Sequence, residues 1–130
     1  MLIVIPTNPI TKKNHGRIVQ KKFPSGKSVP IMLPSEAYKK YELFAKDYMP
    51  KLTEPINKPI NLKVLYYMGT KRACDITNLL QATCDVLVKY KIIEDDNYNI
   101  VSSVDGTKVY YDKENPRTEI YIEIQKEPGE

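Results

Sequence analysis

Tryptophan is absent from this 130-residue sequence, and histidine occurs once, as His15. A single imidazole rules out zinc-finger spacing and offers no partner for Ser-His or Cys-His nucleophilic chemistry. Cysteine is nearly as scarce, with Cys74 and Cys84 ten residues apart. Two are too few for a disulfide framework, so they read as free thiols of a reducing compartment, and the expected location is the cytoplasm. No apolar run approaches the ~20 residues of a membrane span, and residues 1–14 lack the pattern of a secretory signal. The length suits one small domain, 1–130, with a modest core.

What the chain does have is charge, unevenly spread. Residues 1–74 carry 14 Lys/Arg against 4 Asp/Glu, whereas residues 75–130 carry 6 against 12. A basic half joined to an acidic half suits a protein that holds a polyanion and places metal ions on it; ordinary surface charge is the plain alternative. The basic excess concentrates between Lys12 and Lys27, where Lys12, Lys13, Arg17, Lys21, Lys22 and Lys27 occur without one acid. Thr11, Asn14, Gly16 and Ser25 lie among them. Such a loop offers cations, small side chains and free N–H groups to phosphates. A solvated hairpin is the competing reading, and His15 reads equally as an exposed loop residue or a contact.

Periodicity supplies the elements. Leu2 to Ile5 reads as a first strand, broken by Pro6 and Pro9. Arg17 to Gln20 suggests a short strand, Phe23-Pro24-Ser25-Gly26 a turn, and Val29 to Leu33 a second apolar run. Ser35 is placed to cap a helix whose Tyr38, Tyr41, Phe44, Ala45, Tyr48 and Met49 recur at helical spacing, an aromatic stripe read as core, until Pro50 ends it. Ile60 to Met68 is apolar on both faces and predicts a central, doubly covered strand. Tyr98 to Tyr111 is strand-like, with Asp105-Gly106 as either a two-residue hairpin turn or a glycine bulge. Thr118 to Gln125 alternates, with Ile120, Ile122 and Ile124 inward. The expected fold is α+β: two main helices, a mixed sheet and a C-terminal β-hairpin.

The stretch from Lys71 to Asn97 organises the rest. It reads KRACDITNLLQATCDVLVKYKIIEDDN: two bases, an acid, an apolar helix, then an acid cluster. Asp75 can cap the helix. At 100° per residue, Ile76, Leu79, Leu80, Thr83, Val86, Leu87 and Tyr90 share one broad face, with Asp75, Thr77, Asn78, Gln81, Asp85 and Lys89 opposite. About 15 Å of helix separates Asp75 from Asp85, too far to share one metal. Asp75 and Asp96 share one only if the chain doubles back. The competing readings are a cap for Asp75 and a solvated turn for Asp95-Asp96.

Asp75-x-x-Asn78-Leu79, then Asp85, then Glu94-Asp95-Asp96 after a short helix, resembles the motif of the RusA family of Holliday-junction resolvases. Pro9-Ile10-Thr11-Lys12-Lys13-Asn14 and the closing pair of strands resemble that family too, so the likeness covers most of the chain. It implies a homodimeric, Mg²⁺-dependent endonuclease, of a kind typical of phages and prophages, that nicks opposed strands of a four-way DNA junction during recombination and repair. It also implies catalytic roles for Asp75 and Asp96, with Asp95 auxiliary. Thr77 and Asn78 are candidates for weak ligation or for holding a metal-bound water. Lys12, Lys13, Asn14, Arg17, Lys71 and Arg72 are the candidate DNA contacts. The family stretch runs D-x-D-N with a lysine three residues after the Asn; here Thr77 replaces the second Asp and Gln81 the lysine. Lys71, Arg72 or a loop lysine then remains to supply that cation. The alternatives are a junction-binding protein that has lost cleavage and a small domain whose acids bind a partner protein.

Overall fold

In the computed structural model, which describes residues 1–12, 17–33 and 35–125, the strands are β1 (Leu2–Ile5), β2 (Arg17–Lys22), β3 (Ser28–Leu33), β4 (Ile60–Met68), β5 (Val101–Ser103), β6 (Lys108–Tyr111) and β7 (Arg117–Ile124). The helices are α1 (Glu36–Ala45), continued by a 3-10 turn over Lys46–Tyr48, and α2 (Ile76–Lys89). β7 lies between β1 and β4 and is antiparallel to both, while β5 and β6 pair parallel with the far side of β4. The sheet is therefore mixed, and with its two helices the fold is α+β as expected.

One apolar cluster holds these parts together. Ile3 and Ile5 of β1, Ile60, Leu62, Val64 and Tyr66 of β4, and Ile120 and Ile122 of β7 meet Tyr38, Tyr41 and Ala45 of α1 and Leu79, Ala82, Val86 and Leu87 of α2. Burying a large aliphatic or aromatic side chain contributes about 1.5–3 kcal/mol, so the helical stripe of α2 fixes its orientation on the sheet. Ser35 caps α1 by accepting a hydrogen bond from the Tyr38 N–H at 3.0 Å. Thr83, inside α2, is tied to the sheet by a 2.6 Å hydrogen bond with the Tyr66 hydroxyl.

Several expectations change. β4 is central but covered on one face: residues 60, 62, 64 and 66 are buried, whereas Asn61, Lys63, Leu65 and Tyr67 are half-buried. Tyr67 stacks on Tyr110, with ring centroids 5.1 Å apart, and carries the Arg117 guanidinium 3.7 Å from its own centroid. Lys63 likewise lies over the Tyr121 ring, 4.4 Å from its centroid, so side chains of the sheet itself partly cover that face. Phe44 (39 % exposed), in the last turn of α1, and Tyr48 (42 %) leave the core and pack on each other; Tyr48 lies past α1, in a tighter 3-10 turn that breaks the helical spacing. Ile76, at the first turn of α2, is likewise exposed, and so is Ile124, expected inward, which ends β7 beyond the core.

The C-terminal β-hairpin is not formed, because β4 separates β6 from β7. The connection between them passes the end of β4, where the Asp112 N–H donates to the Met68 carbonyl at 2.9 Å. Gly69 makes room for it: a Cβ there would lie 3.2 Å from the Pro116 Cβ. Residues 98–111 likewise make no hairpin; β5 and β6 are two pieces running along β4, interrupted around Gly106 (φ +87°). The Asn61 side chain stitches the gap, donating to the Asp105 carbonyl (3.1 Å) and accepting from the Asp105 N–H (2.9 Å). Of the two readings of Asp105-Gly106, the interrupted strand is the one adopted.

β2 and β3 pair only with each other, from Arg17 opposite Leu33 to Lys22 opposite Ser28, and form a separate two-stranded arm. Gly26 (φ +84°) closes its turn, whose Gly26 N–H donates to the Phe23 carbonyl at 3.0 Å. Residues 20–30 are exposed throughout.

Candidate functional site

Parallel pairing of β4 with β5 requires a crossover, and α2 supplies it, so α2 starts from the carboxyl end of β4. That end of a strand is a common address for sites in sheets with parallel crossovers. The connecting residues Lys71 and Arg72 are exposed there. The Lys71 ammonium lies 5.1 Å from the Tyr111 ring centroid. Arg72 lines, with Asn8, Pro9, Met68, Thr70 and Cys74, a cavity of about 180 Å³.

Asp75 follows at once and occupies the N-cap of α2 with extended backbone (φ −74°, ψ 130°). Its carbonyl accepts from the Asn78 and Leu79 N–H groups at 3.1 and 3.2 Å. The carboxylate makes no capping hydrogen bond and is exposed. A charge at the positive end of a helix dipole is favourable there without being consumed by the cap. Thr77 is exposed and Asn78 half-buried on the same first turn.

Beyond α2 the chain reverses. Lys91 adopts φ +60°, and the Ile92 N–H donates back to the Leu87 carbonyl at 2.9 Å. The reversal is pinned from outside, since the Ile56 N–H donates to the Ile92 carbonyl (2.9 Å) and the Glu94 N–H to the Ile56 carbonyl (3.0 Å). Asp95 spends its carboxylate on the turn, accepting from the Asp96 N–H (2.7 Å) and the Asn97 side-chain amide (3.0 Å). Asp96 is thereby directed onto α2, where Gln81 Nε2 donates to its Oδ2 at 3.2 Å and to Asp85 Oδ1 at 3.0 Å. The chain therefore doubles back along α2 as far as Gln81. Gln81 lies about 9 Å along the helix axis from Asp75, and helical side chains lean toward the N-terminus, which narrows the gap.

The loop joining β1 to the arm reaches the same place. Pro9 and Thr11 are buried, and the next residue, Lys12, forms a 2.8 Å ion pair with Asp85 Oδ2. Its ammonium also lies 5.6 Å from the Tyr38 ring centroid. Lys12, expected as a free phosphate contact, is thus engaged with the acids. Lys13 and Asn14 lie outside the described residues, and Arg17 is described only as the first backbone position of β2. Lys21, Lys22 and Lys27 on the arm are exposed cations of the basic segment.

The neighbouring thiols register the acids. Burial, and then the charges of Asp96 and Asp85, push Cys84 up to about 12. Burial and Asp75 raise Cys74, with Arg72 opposing them. Among the described residues no three carboxylate, imidazole or thiolate groups converge tightly enough to enclose a cation. An open pair of hard oxygen donors still fits Mg²⁺, which is commonly held by one or two carboxylates with waters and substrate phosphate filling the octahedron. The structure thus joins Asp85 to Asp96 through Gln81, with Lys12 paired to Asp85, while among the described residues no hydrogen bond ties Asp75, Thr77 or Asn78 to that group. Sequence reasoning treated Gln81 only as a missing lysine. Its i,i+4 relation to Asp85 is a legible signal; the approach of Lys12, 73 positions earlier, is not.

Residues 6–123 match the family model of endodeoxyribonuclease RusA. The chain belongs to the RusA family. The RusA match takes in the arm, both helices and all of the sheet except β1 and the last residue of β7. Membership places the chain among endonucleases of Holliday-junction resolution and DNA recombination, whose substrate is branched DNA. No curated protein matches the chain. Among the described residues no helix is long and apolar enough to cross a membrane.

Proposed function

We propose that this RusA-family chain is a Mg²⁺-dependent endonuclease that nicks four-way DNA junctions as a symmetric homodimer. The observation that carries the reading is the return of the chain onto α2, which directs Asp96 back along the helix that begins at the uncommitted carboxylate of Asp75. Asp75 and Asp96 would hold the metal, with Thr77 or Asn78 supporting a water ligand. Bound there, the ion would polarise the phosphoryl group and lower the pKa of an attacking water. The protein's own part is positional. Asp95 shapes the turn that presents Asp96, Gln81 fixes Asp96 against Asp85, and Lys71, Arg72 and the arm supply cations for the backbone. Two opposed cuts are met most simply by a closed two-fold pair of sites, and light scattering at micromolar concentration should report twice the chain mass.

A second reading, junction binding without cleavage, is favoured by the neutral side chains at Thr77 and Gln81. Incubation of a synthetic four-way junction with and without Mg²⁺ decides between them. Metal-dependent nicks support the endonuclease; retention of the junction without nicks supports the binder. Failure to hold any branched DNA at low salt ends both.

A further inference from the structure

We infer that Lys12 is the phosphate-facing cation of this site and that Asp85 is the residue that positions it; the inference rests on the endonuclease reading above. A lysine serving only the DNA backbone has no reason to be built into the fold, and Lys12 is built in from three sides. Buried Pro9 and Thr11 anchor the backbone immediately before it. Asp85 of α2 takes one of its N–H groups at 2.8 Å, and the ring of Tyr38 from α1 lies within cation–π range at 5.6 Å. About two-fifths of the side chain is still exposed, 44 %, so the ammonium retains donors directed away from Asp85.

Charge counting gives the reason for such a placement. Asp85 and Asp96 stand on either side of a neutral amide, Gln81 Nε2, at 3.0 and 3.2 Å. Unopposed, the two carboxylates would repel the phosphodiester they are meant to serve, and a metal held by Asp96 would have to offset both. Lys12 cancels Asp85, leaving Asp96 as the carboxylate of that pair available to a metal. Negative charge grows on the phosphoryl oxygens during hydrolysis, and a fixed cation beside them acts on the transition state more than on the ground state. Gln81 sets the geometry, since its side chain already spans both acids. A lysine at position 81 would put an ammonium into the same cluster.

The test compares Lys12→Ala, Lys12→Arg and the double variant Lys12→Ala/Gln81→Lys with the wild type. Three quantities are read: single-turnover nicking at saturating Mg²⁺, junction affinity in EDTA, and Mn²⁺ affinity of the DNA-free protein by electron paramagnetic resonance. Removing one transition-state donor typically slows a reaction about 10²–10³-fold. That loss is expected for Lys12→Ala, with junction affinity changed by less than about 3-fold, the loss of about one phosphate contact's worth of binding. Lys12→Arg should keep part of the rate, and Gln81→Lys should restore it in the double variant. Mn²⁺ should bind Lys12→Ala more tightly than the wild type, because a cation next to the acids has gone. Thermal unfolding should be nearly unchanged, since exposed ion pairs contribute little to stability. A Lys12→Ala protein that nicks at the wild-type rate, or whose lost rate only mirrors lost affinity and is not rescued at position 81, overturns the inference and leaves the endonuclease reading standing. Unchanged Mn²⁺ affinity also overturns it. A wild type that never nicks removes the reading itself, and this inference with it.

Discussion

Replacing Lys21, Lys22 and Lys27 together by alanine tests whether the β2–β3 arm is the electrostatic grip on DNA. All three side chains are exposed, and among the described residues none is in an ion pair with an acid. The arm's geometry bounds the effect. Successive strand residues point to opposite faces, so Lys21 and Lys22 lie on different sides of the ribbon, with Lys27 in the turn. A ribbon laid flat on a duplex arm brings two of the three to phosphates, and one seated edgewise in a groove brings all three. At about 0.9 per contact, the slope of log affinity against log salt should fall by about 1.8 in the first case and about 2.7 in the second. Over a fourfold rise in salt this amounts to about 1.1–1.6 decades of affinity that the variant no longer loses. Fluorescence anisotropy of a labelled four-way junction in EDTA, titrated with KCl, measures the slope directly. The single variants then tell the two poses apart: unequal losses for Lys21→Ala and Lys22→Ala mean a flat ribbon, and equal losses mean an edgewise one. A triple variant with the wild-type slope, folded by circular dichroism, would refute the arm as a DNA contact.

Asp75→Asn and Asp96→Asn should each abolish Mg²⁺-dependent nicking while leaving junction affinity intact or higher, because a carboxylate beside phosphate repels it unless a metal intervenes; a near-normal rate for either removes that residue from the site. Thr83→Val should cost about 1–3 kcal/mol in urea unfolding, since the Tyr66 hydroxyl would lose its buried partner, and adding Tyr66→Phe should recover part of the loss. Cys84, held protonated up to about 12 by burial and the nearby acids, should stay silent to thiol reagents at pH 8 until the protein unfolds. Its raised value also stabilises the fold fully below the unfolded thiol range, near 8.5, and less as pH climbs through the folded value. Urea midpoints should therefore decline above about pH 8.5, and less steeply in Cys84→Ala; equal slopes would count against that assignment.

What was legible in the residues follows from what is local. Ser35 capping Tyr38, the apolar stripe of α2 and the extent of β4 all come from short-range sterics and periodicity, and each is where the pattern placed it. The misreadings concern neighbours that periodicity does not name. Leu65 and Tyr67 look like core residues by hydropathy, yet aromatic stacking and Arg117 let them stay half-buried without a covering helix. Tyr48 follows helical spacing into a segment that is no longer α-helical, and Phe44, in the last turn of α1, packs on it outside the core. The missing C-terminal hairpin is a matter of topology, since β6 and β7 take opposite edges of β4, which local patterning does not specify. At the site, the motif gave Asp75 and Asp96 their candidacy. The contacts that bring Lys12 to Asp85 and both acids to Gln81 needed the folded chain.

The pairing of β1 with β7, Leu2 opposite Tyr121 and Ile5 opposite Thr118, has a consequence for how the chain is made. Within this chain β1 is made long before β7, the strand that completes it, and β4 gains its antiparallel neighbour only with β7. At about 5–20 residues per second, roughly 6–24 s pass during which Leu2–Ile5, an unbroken apolar tetrapeptide, has no native partner. Loop-closure entropy over so long a separation further slows the final docking. The nascent chain therefore has to extend through β7 before β1 and the β7 side of β4 are paired. Fragments ending before Arg117 should stay unfolded however much of the candidate site they contain, and synthesis rather than side-chain packing sets the earliest moment at which a working site exists.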